Sequence, residues 1–243
     1  MRAALAVLLL AALPALAQDY ERERRWEAEV VPNVVVGEAV HLELPSGRKF
    51  LGLYTPVANA KTAILLVHGI GVHPDHGVIG ILRSDLADMG YATLSIQMPV
   101  LKPDATAEDY YPALFPEAAA RIAAGAAWLA AKGYAHPVLL SHSMGSWMSE
   151  DYLARAPEAP FSAWVCLGRG GRFGDLRHVK LPVLDVYGED DRPAVIAAAA
   201  ARLAALRRVP GSRQVRIAGA DHFYTGREKQ LEAAIVGFLG ALR

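Results

Sequence analysis

The chain has 243 residues, 53% of them apolar, and its 25 basic and 25 acidic side chains give a formal net charge of zero. That length suits one large domain or two small ones with a substantial core, and the balanced charge argues against a nucleic-acid binder, which needs a net basic face. A single cysteine, Cys166, excludes a disulfide framework and any multi-cysteine metal site.

The N-terminus reads as a secretory signal over 1–17. Arg2 supplies the positive charge, Ala3 to Leu13 is an unbroken apolar run, and Pro14 breaks it. Ala15-Leu16-Ala17 then places small residues where a signal peptidase requires them. The stretch from Ala3 to Ala17 falls short of the roughly 18 residues needed to span a bilayer. The competing reading is an uncleaved anchor or a buried first helix. On the signal reading the mature chain, 18–243, is exported, periplasmic or secreted, and one cysteine tolerates an oxidising compartment.

From Glu27 to Pro56 the pattern favours antiparallel strands. Val40 to Leu44 alternates apolar with polar, Pro45-Ser46-Gly47 turns, and Lys49 to Tyr54 returns. The rhythm then changes to short solid apolar runs at Ala63 to Val67, Tyr91 to Ile96, Val138 to Leu140, Ala163 to Leu167, Val183 to Tyr187 and Gln214 to Ile217. Runs without polar alternation are expected of strands buried on both faces of a parallel sheet. Helices are expected at Pro116 to Ala131 and Pro193 to Leu206, each opening on a proline. A last helix, Glu228 to Leu242, carries Leu231, Ile235, Phe238, Leu239 and Leu242 on one face. A hairpin followed by alternating strands and helices implies an α/β fold with a mostly parallel sheet. No internal repeat or Gly/Ser/Pro-rich linker divides the mature chain, so a single domain is expected.

The sharpest chemical signal is Leu140-Ser141-His142-Ser143-Met144-Gly145, where a buried strand ends in a small-x-Ser-x-Gly turn and continues as a helix. Such a turn lifts the Ser143 hydroxyl clear of the backbone and aims the free N–H groups of the new helix at whatever the hydroxyl attacks. The alternative is a serine that merely caps the helix. Three further segments end strands in the same manner. Leu65-Leu66-Val67-His68-Gly69-Ile70-Gly71 closes the first buried strand. Val183 to Asp191 ends in Gly188-Glu189-Asp190-Asp191, and Val215 to Phe223 ends in Ala220-Asp221-His222.

These four segments, in this order, resemble the α/β-hydrolase superfamily, whose nucleophile elbow is Gly-x-Ser-x-Gly; Ser141 stands where the first glycine is usual. The resemblance implies a mostly parallel sheet with helices on both faces, an N-terminal antiparallel hairpin, and a Ser143, Asp191, His222 triad in the chain order of that fold. It also implies an oxyanion hole formed by the backbone N–H groups of Ile70 and Met144. Asp191 is the acid by the superfamily spacing after Gly188. Asp190 and mid-strand Asp185 stay open as alternatives. The implied reaction is hydrolysis of a carboxylic ester or thioester through an acyl-enzyme on Ser143, with no metal or organic cofactor and a small molecule as partner. A peptidase or acyltransferase would use the same groups. The alternative from another class is a catalytically silent hydrolase fold serving as a binding or envelope-interaction module.

Other features carry further expectations. His68, His73, His76 and Asp75 could suggest a metal, but they lie on a Gly- and Pro-bearing loop rather than one helix face. Arg169-Gly170-Gly171-Arg172 suits either an anionic substrate group or a solvated basic loop. Cys166 is expected to be a buried, inert thiol. Tyr110, Tyr111 and Phe115 are expected on a surface loop, walling a cleft or simply packing. The short connection between Leu167 and Val183 leaves little space for a cap, so an open site is expected.

Overall fold

The computed structural model describes residues 18–110 and 113–242; the signal-like segment 1–17 and Tyr111 lie outside them. One eight-stranded sheet runs through the molecule. Its strands are β1 (Glu38–Glu43), β2 (Lys49–Thr55), β3 (Ala63–Val67), β4 (Ala92–Ile96), β5 (Val138–His142), β6 (Ala163–Leu167), β7 (Val183–Gly188) and β8 (Arg213–Ile217), in spatial order β1-β2-β4-β3-β5-β6-β7-β8. The β1–β2 and β2–β4 pairs are antiparallel, and every other pair is parallel. The expected hairpin and the six solid apolar runs are all present.

Five of the solid runs become strands covered on both faces, whereas the sixth, Gln214 to Ile217, lies in the edge strand β8, where Arg213 and Arg216 are exposed and only Ile217 is buried, contrary to the expectation. Along β3, Leu65 and Val67 point into one core layer and Ile64 and Leu66 into the other. The first layer lies under α4 (Phe115–Ala131) and α5 (Met144–Arg155), through Ile122, Leu129 and Met148. The second lies under α2 (Gly77–Asp88) and α8 (Glu228–Gly240), through Val78, Leu82, Leu231 and Ile235. From β3 the chain crosses to β4 on one side and returns to β5 on the other. That reversal of strand order opens a crevice at the carboxyl ends of β3 and β5, the place where open α/β sheets bind ligands.

Three expectations need correction. Glu27 to Val30 belongs not to a strand but to α1 (Tyr20–Val30), followed by a 3-10 turn at Val31–Asn33. The segment has few apolar residues, and charged side chains dock it instead. Pro193 to Leu206 is two helices, α6 (Pro193–Ala197) and α7 (Ala199–Leu206), meeting at Ala198. Tyr110 and Phe115 are fully buried at the end of the short α3 (Ala107–Tyr110) and the start of α4, so they pack inside rather than wall a cleft. Between β6 and β7 the only regular element among the described residues is a 3-10 turn at Leu176–His178, which leaves no helical cap there.

Candidate active site

Ser143 lies between β5 and α5 with φ 55° and ψ −120°, a backbone region costly for any residue bearing a Cβ. The Ser143 N–H donates to the Leu167 carbonyl at 2.9 Å and its own carbonyl accepts from the Ser146 N–H at 3.0 Å, so the surrounding structure holds the strain in place. The turn works only because residue 145 has no side chain: a Cβ there would lie 2.4 Å from the His68 carbonyl oxygen. Ser141, in the first small position, uses its hydroxyl. Its Oγ accepts the buried Trp164 indole N–H at 2.8 Å and lies 3.2 Å from Ser146 Oγ.

The structure brings three distant side chains into line. His222 Nε2 is 3.0 Å from Ser143 Oγ, and His222 Nδ1 is 2.6 Å from Asp191 Oδ1. A carboxylate only accepts, so Nδ1 carries the proton and Nε2 is left free to accept from the serine. Burial by itself would raise the Asp191 pKa. The His222 hydrogen bond and charge, with the Arg192 and Gly188 backbone N–H groups on the same carboxylate, outweigh it and bring the pKa below the ordinary carboxylate value. Its neighbour Asp190 is exposed and braces the loop through its N–H, which donates to the Ala220 carbonyl at 2.9 Å. Asp185 is fully buried beneath the sheet's end, paired with Arg202 at 2.8 Å and accepting from Gln214.

Two groups around His222 had no assignment from sequence. Gly168, just past β6, has φ +56°, and a Cβ there would come within 3.1 Å of His222 Cε1, so the imidazole rests directly on backbone. Its signal was available: a glycine directly after the solid apolar run Ala163 to Leu167. His142 is buried with its Nε2 2.9 Å from the His222 carbonyl. Burial, reinforced by the His222 charge, lowers its pKa to about 4, so it is neutral and donates that hydrogen bond near neutral pH.

The Ile70 N–H and Met144 N–H are not taken by any backbone carbonyl among the described residues. Met144 opens α5, where a helix has no carbonyl of its own to offer. The peptide that contains the Ile70 N–H is held by its other end. His68 is buried, burial lowers its pKa to about 3, and its Nε2 accepts the Met98 N–H at 2.8 Å. That leaves the proton on Nδ1, which donates to the Gly69 carbonyl at 2.8 Å and fixes the Gly69–Ile70 peptide plane. His68 is thus an internal clamp. Among the described residues no cluster of three or more His, Cys, Asp or Glu is arranged to hold a metal, and Asp75 is engaged by Arg83 at 2.7 Å.

A largely apolar cavity of about 550 Å³ opens beside Ser143, walled by Ile70, Met144, Trp147 and Val195, with Glu108 and Arg192 as its charged members. A smaller cavity of about 70 Å³ shares Ser143, Ile70, Arg192 and His222 and adds Val78, Ile79 and Phe223. Arg169 meets neither expectation. It is 2% exposed, its Nε donates to Glu150 at 2.8 Å, and its guanidinium stacks over Trp147 at 4.3 Å, so it buttresses the cavity wall from behind. Cys166 is fully buried, and burial raises its pKa.

Comparison with solved structures supports this architecture. Residues 3–119, just under half of the chain, match a family described as "Protein of unknown function (DUF3530)". No curated protein matches the chain. Among solved structures, dienelactone hydrolase from Anabaena variabilis is similar with TM-score 0.65 and 23% identity, covering 82% of this chain and 94% of its own. Est1E from Butyrivibrio proteoclasticus follows at TM-score 0.64 and 17% identity, covering 84% and 98%. An α/β serine hydrolase without lid from Xanthomonas campestris gives TM-score 0.61 and 15% identity, covering 85% and 95%. The protein has the α/β-hydrolase fold, and among the described residues no helical cap lies between β6 and β7.

Proposed function

We propose that this protein is an exported serine hydrolase that cleaves carboxylic esters or thioesters through an acyl-enzyme on Ser143. The observation that carries the reading is the continuous contact from Ser143 Oγ through His222 to Asp191, placed at the edge of an apolar cavity. Two solved proteins of the same fold bear names in keeping with it, a dienelactone hydrolase and Est1E, the latter also solved with ferulic acid bound.

In this mechanism His222 Nε2 accepts the Ser143 proton as Oγ attacks the acyl carbonyl carbon. Asp191 keeps the imidazole in the tautomer that can accept and stabilises the imidazolium that forms. The carbonyl oxygen, now an oxyanion, receives the N–H groups of Ile70 and Met144, and His68 has already fixed the first of these in orientation. His222 returns the proton to the leaving alcohol or thiol, and water activated by the same nitrogen releases the acyl group. The 550 Å³ cavity suits an apolar moiety of modest size, presented from solvent. The N-terminal signal reading of 1–17 supports export to the periplasm or beyond.

A fluorophosphonate probe tests the proposal. The folded protein should label, labelling should vanish in Ser143→Ala, and that variant should lose ester turnover by about 10³-fold or more. Folded protein that neither labels nor turns over p-nitrophenyl esters of any chain length would favour the silent binding module instead.

A further inference from the structure

The turn bearing Ile70 is gripped from the N-terminal side by α1, an element outside the sheet. Arg22, in the first turn of α1, donates from Nη2 to the Gly71 carbonyl at 2.9 Å and from Nη1 to the Leu101 carbonyl at 2.7 Å. Its guanidinium packs over the Trp26 ring at 4.4 Å, which fixes the fork in one plane. The helix start is itself anchored: Asp19 caps it by accepting the Arg22 N–H at 2.9 Å, and the Asp19 N–H donates to the Val100 carbonyl at 2.8 Å.

A second route leads from the same helix to the same turn. Glu23 pairs with the fully buried Arg121 at 3.0 Å, Arg121 donates to the Gln97 carbonyl at 2.9 Å, and the Gln97 amide donates to the Val72 carbonyl at 3.2 Å. The Gly71 carbonyl lies two peptide planes along from the Ile70 N–H. His68 holds the near plane through the Gly69 carbonyl, and Arg22 holds the far side.

We propose that Arg22 is a positioning residue for the reaction: by clamping the Gly71 and Leu101 carbonyls together, α1 preorganises the Ile70 N–H to receive the oxyanion. The inference rests on the serine-hydrolase reading above. An N–H that must be in place before charge develops is useful only if its turn cannot relax, and a displacement of even about 1 Å at such a donor costs rate rather than ground-state binding.

The test compares wild type with Arg22→Met, which keeps an unbranched apolar side chain and the backbone N–H that Asp19 caps but removes every side-chain donor. With a short p-nitrophenyl ester, kcat should fall about tenfold or more while KM stays within about twofold. Affinity for a trifluoromethyl ketone, which forms a tetrahedral adduct on Ser143, should fall by the same factor as kcat/KM. Added guanidinium ion should recover part of kcat in Arg22→Met. Undiminished kcat in a folded Arg22→Met, or a loss confined to melting temperature, overturns the proposal. Should Arg22→Met not fold, Arg22→Gln, too short to reach either carbonyl, is read by the same criteria. Wild type inert toward probe and esters overturns the serine-hydrolase reading and this inference together, whereas active wild type with an equally active variant overturns the inference alone.

Discussion

Strand β3 and helix α1 both end beside the Ile70 turn, and they reach it by different physics. All five residues of β3 are fully buried, and the strand is placed by burial of apolar surface in two layers, a non-directional force proportional to area. Helix α1 buries only Val30. It is placed by directional contacts: Arg22 on two carbonyls, Glu23 on Arg121, the Tyr20 hydroxyl donating to Glu117 at 2.8 Å, and Arg48 over the Tyr20 ring at 3.5 Å. Burial in the sheet puts a strand end in the crevice, but it does not fix which way one peptide faces. Directional polar contacts do, His68 on the Gly69 carbonyl and Arg22 on the Gly71 carbonyl, and those of α1 cost desolvation of charges such as Arg121 that only complete pairing offsets.

That contrast also explains what could be read from sequence. Ala63–Val67 and Ala163–Leu167 appear in the structure with the expected bounds because an unbroken apolar run has one comfortable place, the middle of a covered sheet. Three of the four strand-end segments were legible for the same reason, since β3, β5 and β7 are placed by burial; the fourth ends the edge strand β8, which is mostly not buried, and was legible only through its resemblance to the superfamily's histidine loop. Helix α2 carries a legible signal too, with Val78, Ile79, Leu82 and Leu86 recurring at helical spacing. Helix α1 had no such signal, because Arg22, Glu23 and Tyr20 reveal their partners only in three dimensions, 79, 98 and 97 residues away. Arg169 failed in the same way. Two glycines follow it and make it look solvated, while its partner Glu150 lies on α5. The break at Ala198 falls within an alanine run with no glycine or proline to mark it.

The largest effect should come from the burial-built half. Asp191→Asn keeps the shape but favours the wrong His222 tautomer, so kcat should fall about 10³- to 10⁴-fold near neutral pH. Asp190→Asn alters an exposed carboxylate whose contribution to the loop is made by backbone, and should cost about tenfold or less. Steady-state kinetics on both variants check the ranking, and a reversed order would move the acid to Asp190.

A middle-sized effect is expected where a polar group serves the apolar half. Ser141→Gly would restore the superfamily's usual small residue, but it removes the acceptor of the buried Trp164 N–H. An orphaned buried donor, with the added freedom of glycine in a strand, should cost roughly 2 kcal/mol of stability. Activity of the folded fraction should stay within about tenfold, because Gly145 and the strained Ser143 turn are untouched. Urea unfolding beside kinetics separates the two. Unchanged stability would mean that Trp164 finds another partner.

The smallest effect probes the polar half through pH. Burial is the first influence on Glu23 and raises its pKa from 4.5 to about 7, with Arg121 opposing only in part. A carboxyl whose folded pKa lies above its unfolded value holds its proton more tightly when folded. Its contribution therefore carries no penalty below the unfolded pKa, becomes increasingly destabilising as pH rises between the two values, and levels off above the folded one. Glu23→Gln mimics the protonated form, keeps a hydrogen-bonding side chain toward Arg121, and cannot titrate. The variant should thus gain on wild type as pH rises from about 5 to about 8. The gain should be about 1 kcal/mol, a few degrees in melting temperature, with a ceiling near 3 kcal/mol set by the displaced pKa. Thermal unfolding of both proteins at the two pH values measures it. A gap that stays constant with pH would show that Glu23 is ionised throughout and that Arg121 fully offsets its burial. A gap that moves against the variant would make the Glu23–Arg121 pair a net stabilising anchor for α1.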